Sequence, residues 1–222
     1  MRILRSLSVI ALAVAGQTIG AQLVVNSLPP ARFGLTGGMN LSTFDGDGLG
    51  PTANRRGFVG GGVLVTPFAP DFSTQLELLY SMKGMKSLAS NRTDYAMFKL
   101  NYLEIPVMLR GDLPLSSAVR PFAFTGPAVD FKLSCSSDEV VSGNVSNSFD
   151  CDQLPGLKLR TVDVGWVLGG GLGFDYHNRR ISLGARYEVG LRTITDEGSS
   201  KNRALSFMAS VEAPLPRRSP RE

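Results

Sequence analysis

Apolar and polar residues alternate with a period of two through most of this chain, and the alternation is longest near its C-terminal end. Over residues 181–194, Ile181, Leu183, Ala185, Tyr187, Val189 and Leu191 fall on one face, and Ser182, Gly184, Arg186, Glu188, Gly190 and Arg192 on the other. That is the pattern of a strand with two unlike faces. Residues 162–175 repeat it, with Val162, Val164, Trp166, Leu168, Leu172 and Phe174 opposite Asp163, Gly165, Gly169, Gly171, Gly173 and Asp175. Residues 33–43 and 72–83 do the same, the second setting Leu76, Leu78, Tyr80 and Met82 against Gln75, Glu77, Ser81 and Lys83. Weaker alternation predicts four more strands, at 57–66, 97–110, 120–133 and 203–212. In 97–110, Leu103, Ile105, Val107 and Leu109 oppose Glu104 and Arg110, and Pro106 predicts a local irregularity, because proline cannot donate to a ladder.

The connections between these eight segments alternate in length. Short ones fall at 67–71, 112–117 and 176–179; long ones fall at 45–54, 86–94, 134–159 and 195–202. Nothing in a soluble up-and-down barrel requires this, whereas an outer-membrane barrel has short periplasmic turns on one rim and longer extracellular loops on the other. An even strand count puts both termini on the periplasmic rim, and ten to fourteen residues are enough for the ~9–11 that a tilted strand needs to cross. The expected fold is all-β: an eight-stranded antiparallel up-and-down transmembrane β-barrel, closed because lipid cannot satisfy an open edge.

The faces then acquire meaning. The apolar faces look to lipid, and Glu77, Glu104, Asp163, Arg186, Glu188 and Arg192 form a lumen charge network. An eight-stranded interior is just wide enough for side chains to fill, so opposite charges there predict a salt-bridged plug rather than a conducting path. Phe68, Phe72, Phe122, Phe174 and Tyr176, beside the short turns, predict an interfacial aromatic girdle.

Composition sharpens this picture. Only 19% of the 222 residues are charged and 25 are glycine, which disfavours long helices. The most apolar internal stretch, 57–70, is interrupted by four glycines and two prolines and falls short of the ~18 residues of a spanning helix. Arg2 and Arg5, the apolar run 7–16 and the small-residue end Ile19-Gly20-Ala21 predict a cleavable signal peptide at 1–21. The expected organisation continues with a periplasmic segment at 22–30, the barrel at 31–213 and a polar tail at 214–222, which lacks the terminal aromatic common among outer-membrane barrels. Of the formal charge of +4, the signal arginines carry two and the tail the rest. The body is neutral, which disfavours nucleic acid as a partner.

Several motifs carry a family resemblance. The run Asn101-Tyr102-Leu103-Glu104-Ile105-Pro106-Val107-Met108-Leu109-Arg110, the segment Arg120-Pro121-Phe122-Ala123-Phe124-Thr125-Gly126-Pro127-Ala128, the glycine-rich 169–174 and Gly184-Ala185-Arg186-Tyr187 resemble the outer-membrane β-barrel domain of porin-family or PorT-like proteins. The resemblance covers essentially the whole mature chain. It implies the same barrel, accommodates Pro106 within a strand, and does not by itself imply conduction.

Reactive chemistry is sparse. The single histidine, His177, sits in a short turn without a second ligand or a nucleophile. Asp45 and Asp47 lack the spacing and closing glutamate of a calcium loop, and Asn144-Val145-Ser146 reads as a chance glycosylation match. No catalytic residue, metal site or cofactor is expected. The two cysteines, Cys135 and Cys151, fall in the longest connection of an exported chain and predict a disulfide, with a short hairpin turning at 142–144 between them. The expected function is a non-enzymatic outer-membrane barrel. Its expected partners are outer-membrane lipid, the barrel assembly machinery and an extracellular ligand or protein met through the loops. The alternatives are a soluble lipocalin-like barrel with its apolar face inside, and an outer-membrane lipid-modifying enzyme.

Overall fold

The computed structural model describes residues 28–46, 50–89, 94–113, 115, 119–151, 159–194 and 200–216. The expected signal peptide, most of the 22–30 segment, Asp47 and the end of the tail lie outside them.

Nine strands run β1 (Arg32–Asp45), β2 (Thr52–Ala69), β3 (Phe72–Leu88), β4 (Tyr95–Asp112), β5 (Val119–Val141), β6 (Asn144–Asp150), β7 (Val162–Tyr176), β8 (Arg179–Gly190) and β9 (Lys201–Pro214). Each is antiparallel to its neighbours. Eight close a ring in the order β1-β2-β3-β4-β5-β7-β8-β9, with β9 returning to β1 from Arg32↔Pro214 to Asp45↔Lys201. Closure removes the edge that lipid could not satisfy.

The ninth strand stands outside the ring of eight and forms the hairpin expected between the two cysteines. Within the long connection 134–159, β5 continues to Val141, well past its expected end at 133, and the chain turns back as β6. Along its first half β5 pairs with β7, from Val119↔Phe174 to Phe131↔Val162; beyond it, β6 takes the vacated edge from Ser136↔Asp150 to Val141↔Asn144. Ser142 and Gly143 turn the hairpin at φ 50° and 82°, the left-handed pair that a two-residue hairpin needs. His177 and Asn178, at φ 43° and 61°, do the same between β7 and β8, which gives the lone histidine a backbone role. β8 ends at Gly190, four residues before its expected end.

β4 passes through Pro106 without a register shift. The pairs that would flank it on the β3 side, between Leu76↔Val107 and Leu79↔Glu104, are missing, and the β4–β5 irregularity lies instead at Asn101/Tyr102. Outward positions build the lipid belt. Phe33, Leu35 and Met39 on β1, Leu76, Leu78 and Tyr80 on β3, Trp166, Leu168 and Leu172 on β7 and Leu183 on β8 are all exposed, an arrangement that costs nothing in hydrocarbon and would be costly in water. Polar residues cap the belt on the long-loop side: Arg56 stands beside Leu41, and Arg203 beside Thr43.

Candidate functional site: the filled lumen

Because side chains alternate across each strand, the inward face gathers residues from all eight ring strands, and they stack in three tiers. The middle tier centres on Lys83 of β3, which is 1% exposed. Its Nζ donates to Asp130 Oδ2 at 2.6 Å and Glu188 Oε1 at 2.6 Å, and lies 3.2 Å from Glu104 Oε2. Arg186 of β8 donates to Glu77 Oε2 at 2.8 Å and Glu104 Oε1 at 2.7 Å. Glu104 thus joins the two cations, and Gln75 completes the shell by donating to Glu77 at 2.6 Å. Glu104 and Asp130 face each other directly across β4 and β5, as Asp130 and Asp163 do across β5 and β7. Like charges so placed repel, and Lys83 bridges the first pair. Carboxylate oxygens of Glu104, Asp130 and Glu188 come within 4.8 Å of one another, a spacing that would suit a cation; the lysine ammonium fills that role.

Towards the short-turn rim lies a second tier. Arg110 makes a bidentate pair with Asp112 (3.1 and 3.0 Å), donates to Gln75 at 3.1 Å and stands 3.9 Å from Glu212. Arg180 reaches Asp112 at 3.2 Å and Asp175 at 2.9 and 3.1 Å. Between the two tiers is a cavity of about 40 Å³, lined by Gln75, Glu77, Arg110, Phe122, Phe124 and Arg186 among others, polar enough and large enough for water.

The third tier closes the extracellular end. Asn202 donates to Asp163 at 2.8 Å and lies 3.3 Å from the Tyr102 hydroxyl. Above them Leu100, Tyr102, Cys135 and Cys151 form an apolar cap, with Phe44 and Leu159 packed against it. The cysteines form the expected disulfide, their Cα atoms 5.4 Å apart. The bridge lies within the cap and ties the base of the β5–β6 hairpin to it. Outside it, Lys99 pairs with Asp138, to which Ser148 also donates; these contacts, the Lys99 hydrogen bond first, hold the Asp138 carboxyl below its usual range. Closing a loop of this length is worth about 3 kcal/mol in the chain-entropy model. Cys151→Ala should therefore make the hairpin protease-sensitive while the ring keeps its heat-modifiable migration on a gel. Unchanged cleavage would show that β6 pairing alone holds the hairpin.

Of the residues assigned to the lumen from sequence, Glu77, Glu104, Asp163, Arg186 and Glu188 are buried inside the barrel. Arg192 is not among them: it lies past the end of β8 and is exposed, so its parity carries no inward direction. Lys83, Asp130, Arg110, Asp112, Arg180 and Glu212 complete the network. Lys83 and Arg110 already stood on polar faces. Asp130 was obscured because residues 120–133 carry apolar side chains at both parities.

The same ambiguity explains Phe122. Expected in the girdle, it points inward beneath the Arg110 guanidinium, 3.9 Å from the ring centroid, and packs with Met108, Phe124, Ala128 and Val167. Glycines opposite make the room: a Cβ on Gly169 would lie 2.6 Å from the Phe124 ring. At the short-turn rim Phe68 and Phe72, 6.4 Å apart, and Tyr176 are exposed as girdle residues should be, and Phe174 is half-buried.

A closed ring of eight strands with an apolar exterior and a charged, filled interior is an integral outer-membrane β-barrel. The chain belongs to the outer membrane protein beta-barrel domain family, whose model matches residues 21–196. Among solved structures it is similar to the outer membrane protein OprG from Pseudomonas aeruginosa, with a TM-score of 0.51 at 11% identity over 85% of this chain and 98% of that one. It is also similar to Neisserial surface protein A, with a TM-score of 0.49 at 13% identity over 82% and 97%. A third similar structure is Ail of Yersinia pestis, with a TM-score of 0.40 at 16% identity over 82% and 99%. At these identities the OprG match speaks for the fold alone. No curated protein sequence matches the chain. The apolar face outside and the charged face inside are the reverse of the soluble lipocalin-like alternative.

Proposed function

We propose that this outer-membrane protein is a closed, non-enzymatic barrel that presents the disulfide-tied β5–β6 hairpin outside the cell as its contact surface. The observation that carries this reading is the filled lumen. Lys83 and Arg186 are held by carboxylates from strands on opposite sides of the barrel, and the apolar cap lies above them. A path for ions would have to break several buried charge pairs, each costly to open. The hairpin rises above the belt, and every residue of β6 is exposed, Val145 and Phe149 among them. Loops carried on a rigid scaffold are where binding surfaces concentrate.

The test is electrical. The purified barrel in planar bilayers is expected to give no stable porin-sized conductance steps, at any polarity and with the disulfide intact. Regular steps of that size would overturn the closed-lumen reading.

A further inference from the structure

The short-turn mouth of the lumen is built differently from its middle. Arg32, Arg120 and Arg180 converge on one carboxylate: Asp175 lies 3.2 Å from Arg32 Nη1, 3.3 Å from Arg120 Nε and 2.9 Å from Arg180 Nε. Arg180 divides its remaining contacts between Asp175 and Asp112, and Asp112 is already held bidentately by Arg110. Among the described side chains joined in this network, four arginines (32, 110, 120 and 180) therefore face three carboxylates (112, 175 and 212), and Asp71 and Arg179 on the neighbouring turns add one charge of each sign. The middle tier shows the opposite imbalance, with Lys83 and Arg186 facing Glu77, Glu104, Asp130 and Glu188.

Beside the arginines is a cavity of about 100 Å³, lined by Arg32, Arg120, Arg180, Asp112, Ser73 and Pro29 with Val65, Pro67 and Pro70. One water needs roughly 10–15 Å³ on such a measure. Asp175, the carboxylate the arginines share, is not part of the cavity wall. Arg180 is 7% exposed, and Arg120 Nε meets Asp175 as an ion pair at 3.3 Å without hydrogen-bond geometry. A guanidinium carries five N–H donors in a planar fork that matches an oxyanion, and hydrogen bonds between charged partners are the stronger kind. The prolines stiffen the wall and add no competing donor.

We propose that this pocket is an oxyanion-binding site at the periplasmic mouth of the barrel, in which Arg32 and Arg120 grip a phosphate-type group and Arg180 supplies the fixed inner charge. Asp112 does not repel the ligand strongly, because Arg110 and Arg180 already neutralise it. The shared chemistry is the phosphate oxyanion. Its source is either a soluble phosphate of the periplasm or the headgroup of an inner-leaflet phospholipid.

Thermal unfolding of the full barrel separates these. In nanodiscs of zwitterionic lipid, inorganic phosphate is expected to raise the midpoint saturably above sodium chloride of equal ionic strength, and the rise should vanish in Arg32→Gln and Arg120→Gln. In a second arm, nanodiscs containing phosphatidylglycerol replace added phosphate. A rise seen only there, and lost in the same variants, assigns the headgroup as the source. Arg120→Lys keeps the charge without the fork and should bind at least tenfold more weakly. No midpoint shift in either arm, or an equal shift in wild type and both glutamine variants, overturns the proposal. Arg32 and Arg120 are both partly exposed, and ion pairs at such positions contribute little to stability, so the glutamine variants are expected to fold.

Discussion

Replacing Lys83 with methionine is expected to destabilise the barrel by about 3–5 kcal/mol, the range for removing one partner of a buried charge cluster. Methionine keeps much of the volume but leaves Glu104, Asp130 and Glu188 facing one another, with oxygens inside 4.8 Å and no ammonium between them. The loss would appear in urea unfolding of the protein in phospholipid vesicles. Glu188→Gln alone should cost less, since Lys83 keeps Asp130 at 2.6 Å and Glu104 at 3.2 Å. Combined with Lys83→Met, it should recover part of the loss, because it removes one of the stranded carboxylates. The coupling between the two positions should exceed 0.5 kcal/mol, as expected for residues in one network. If Lys83→Met does not fold, the Glu188→Gln and Glu77→Gln variants carry the same test through Arg186. Additive effects across these positions would mean the tier is not one network.

A comparable loss is expected on the opposite face. Leu168 of β7 is 61% exposed to what is lipid in the native setting, with Trp166 on one side and Leu172 on the other along the strand. Leu168→Arg should cost roughly 2–4 kcal/mol near the midplane, and Leu183→Arg, closer to the short-turn rim, less. The measurement is folding yield in vesicles, read as the heat-modifiable fraction on a gel. Leu168→Phe should fold as wild type, since it exchanges one apolar surface for another. Wild-type yield for Leu168→Arg would reverse the assignment of faces. The two predictions separate in detergent. There the Lys83→Met loss should persist, because the lumen is the same, while the Leu168→Arg loss should shrink as the fixed hydrocarbon slab disappears.

Strand positions and faces were legible wherever one face is apolar and the other polar. Residues 181–190 are the clearest case: Leu183 and Tyr187 are exposed, whereas Ser182, Arg186 and Glu188 are buried. The alternation of connection lengths fixed the ring of eight, and the export context paired Cys135 with Cys151. The reading failed where that contrast is absent. In residues 120–133 large apolar side chains occupy both parities, so nothing local says that Phe122 and Phe124 turn inward or that Asp130 belongs with Lys83. In 134–159 the hairpin turn at 142–144 was legible, but polar and charged residues masked that its first arm prolongs β5 without a break. Arg192 was assigned by extending a period beyond the point where the ladder ends.

Sequence alone determined what the strongly alternating strands show to lipid, because a bilayer imposes one solvent on every outward position and so writes a period of two into the chain. Which charges meet inside was decided only by closure of the ring. Lys83 and Glu188 are 105 residues apart, and Arg186 and Glu77 are 109 apart. They touch because the stagger of eight tilted strands brings those positions to the same depth. The pairing of an inward charge depends on that stagger and on the partner's reach across the lumen, and neither leaves a local periodicity for a sequence to display.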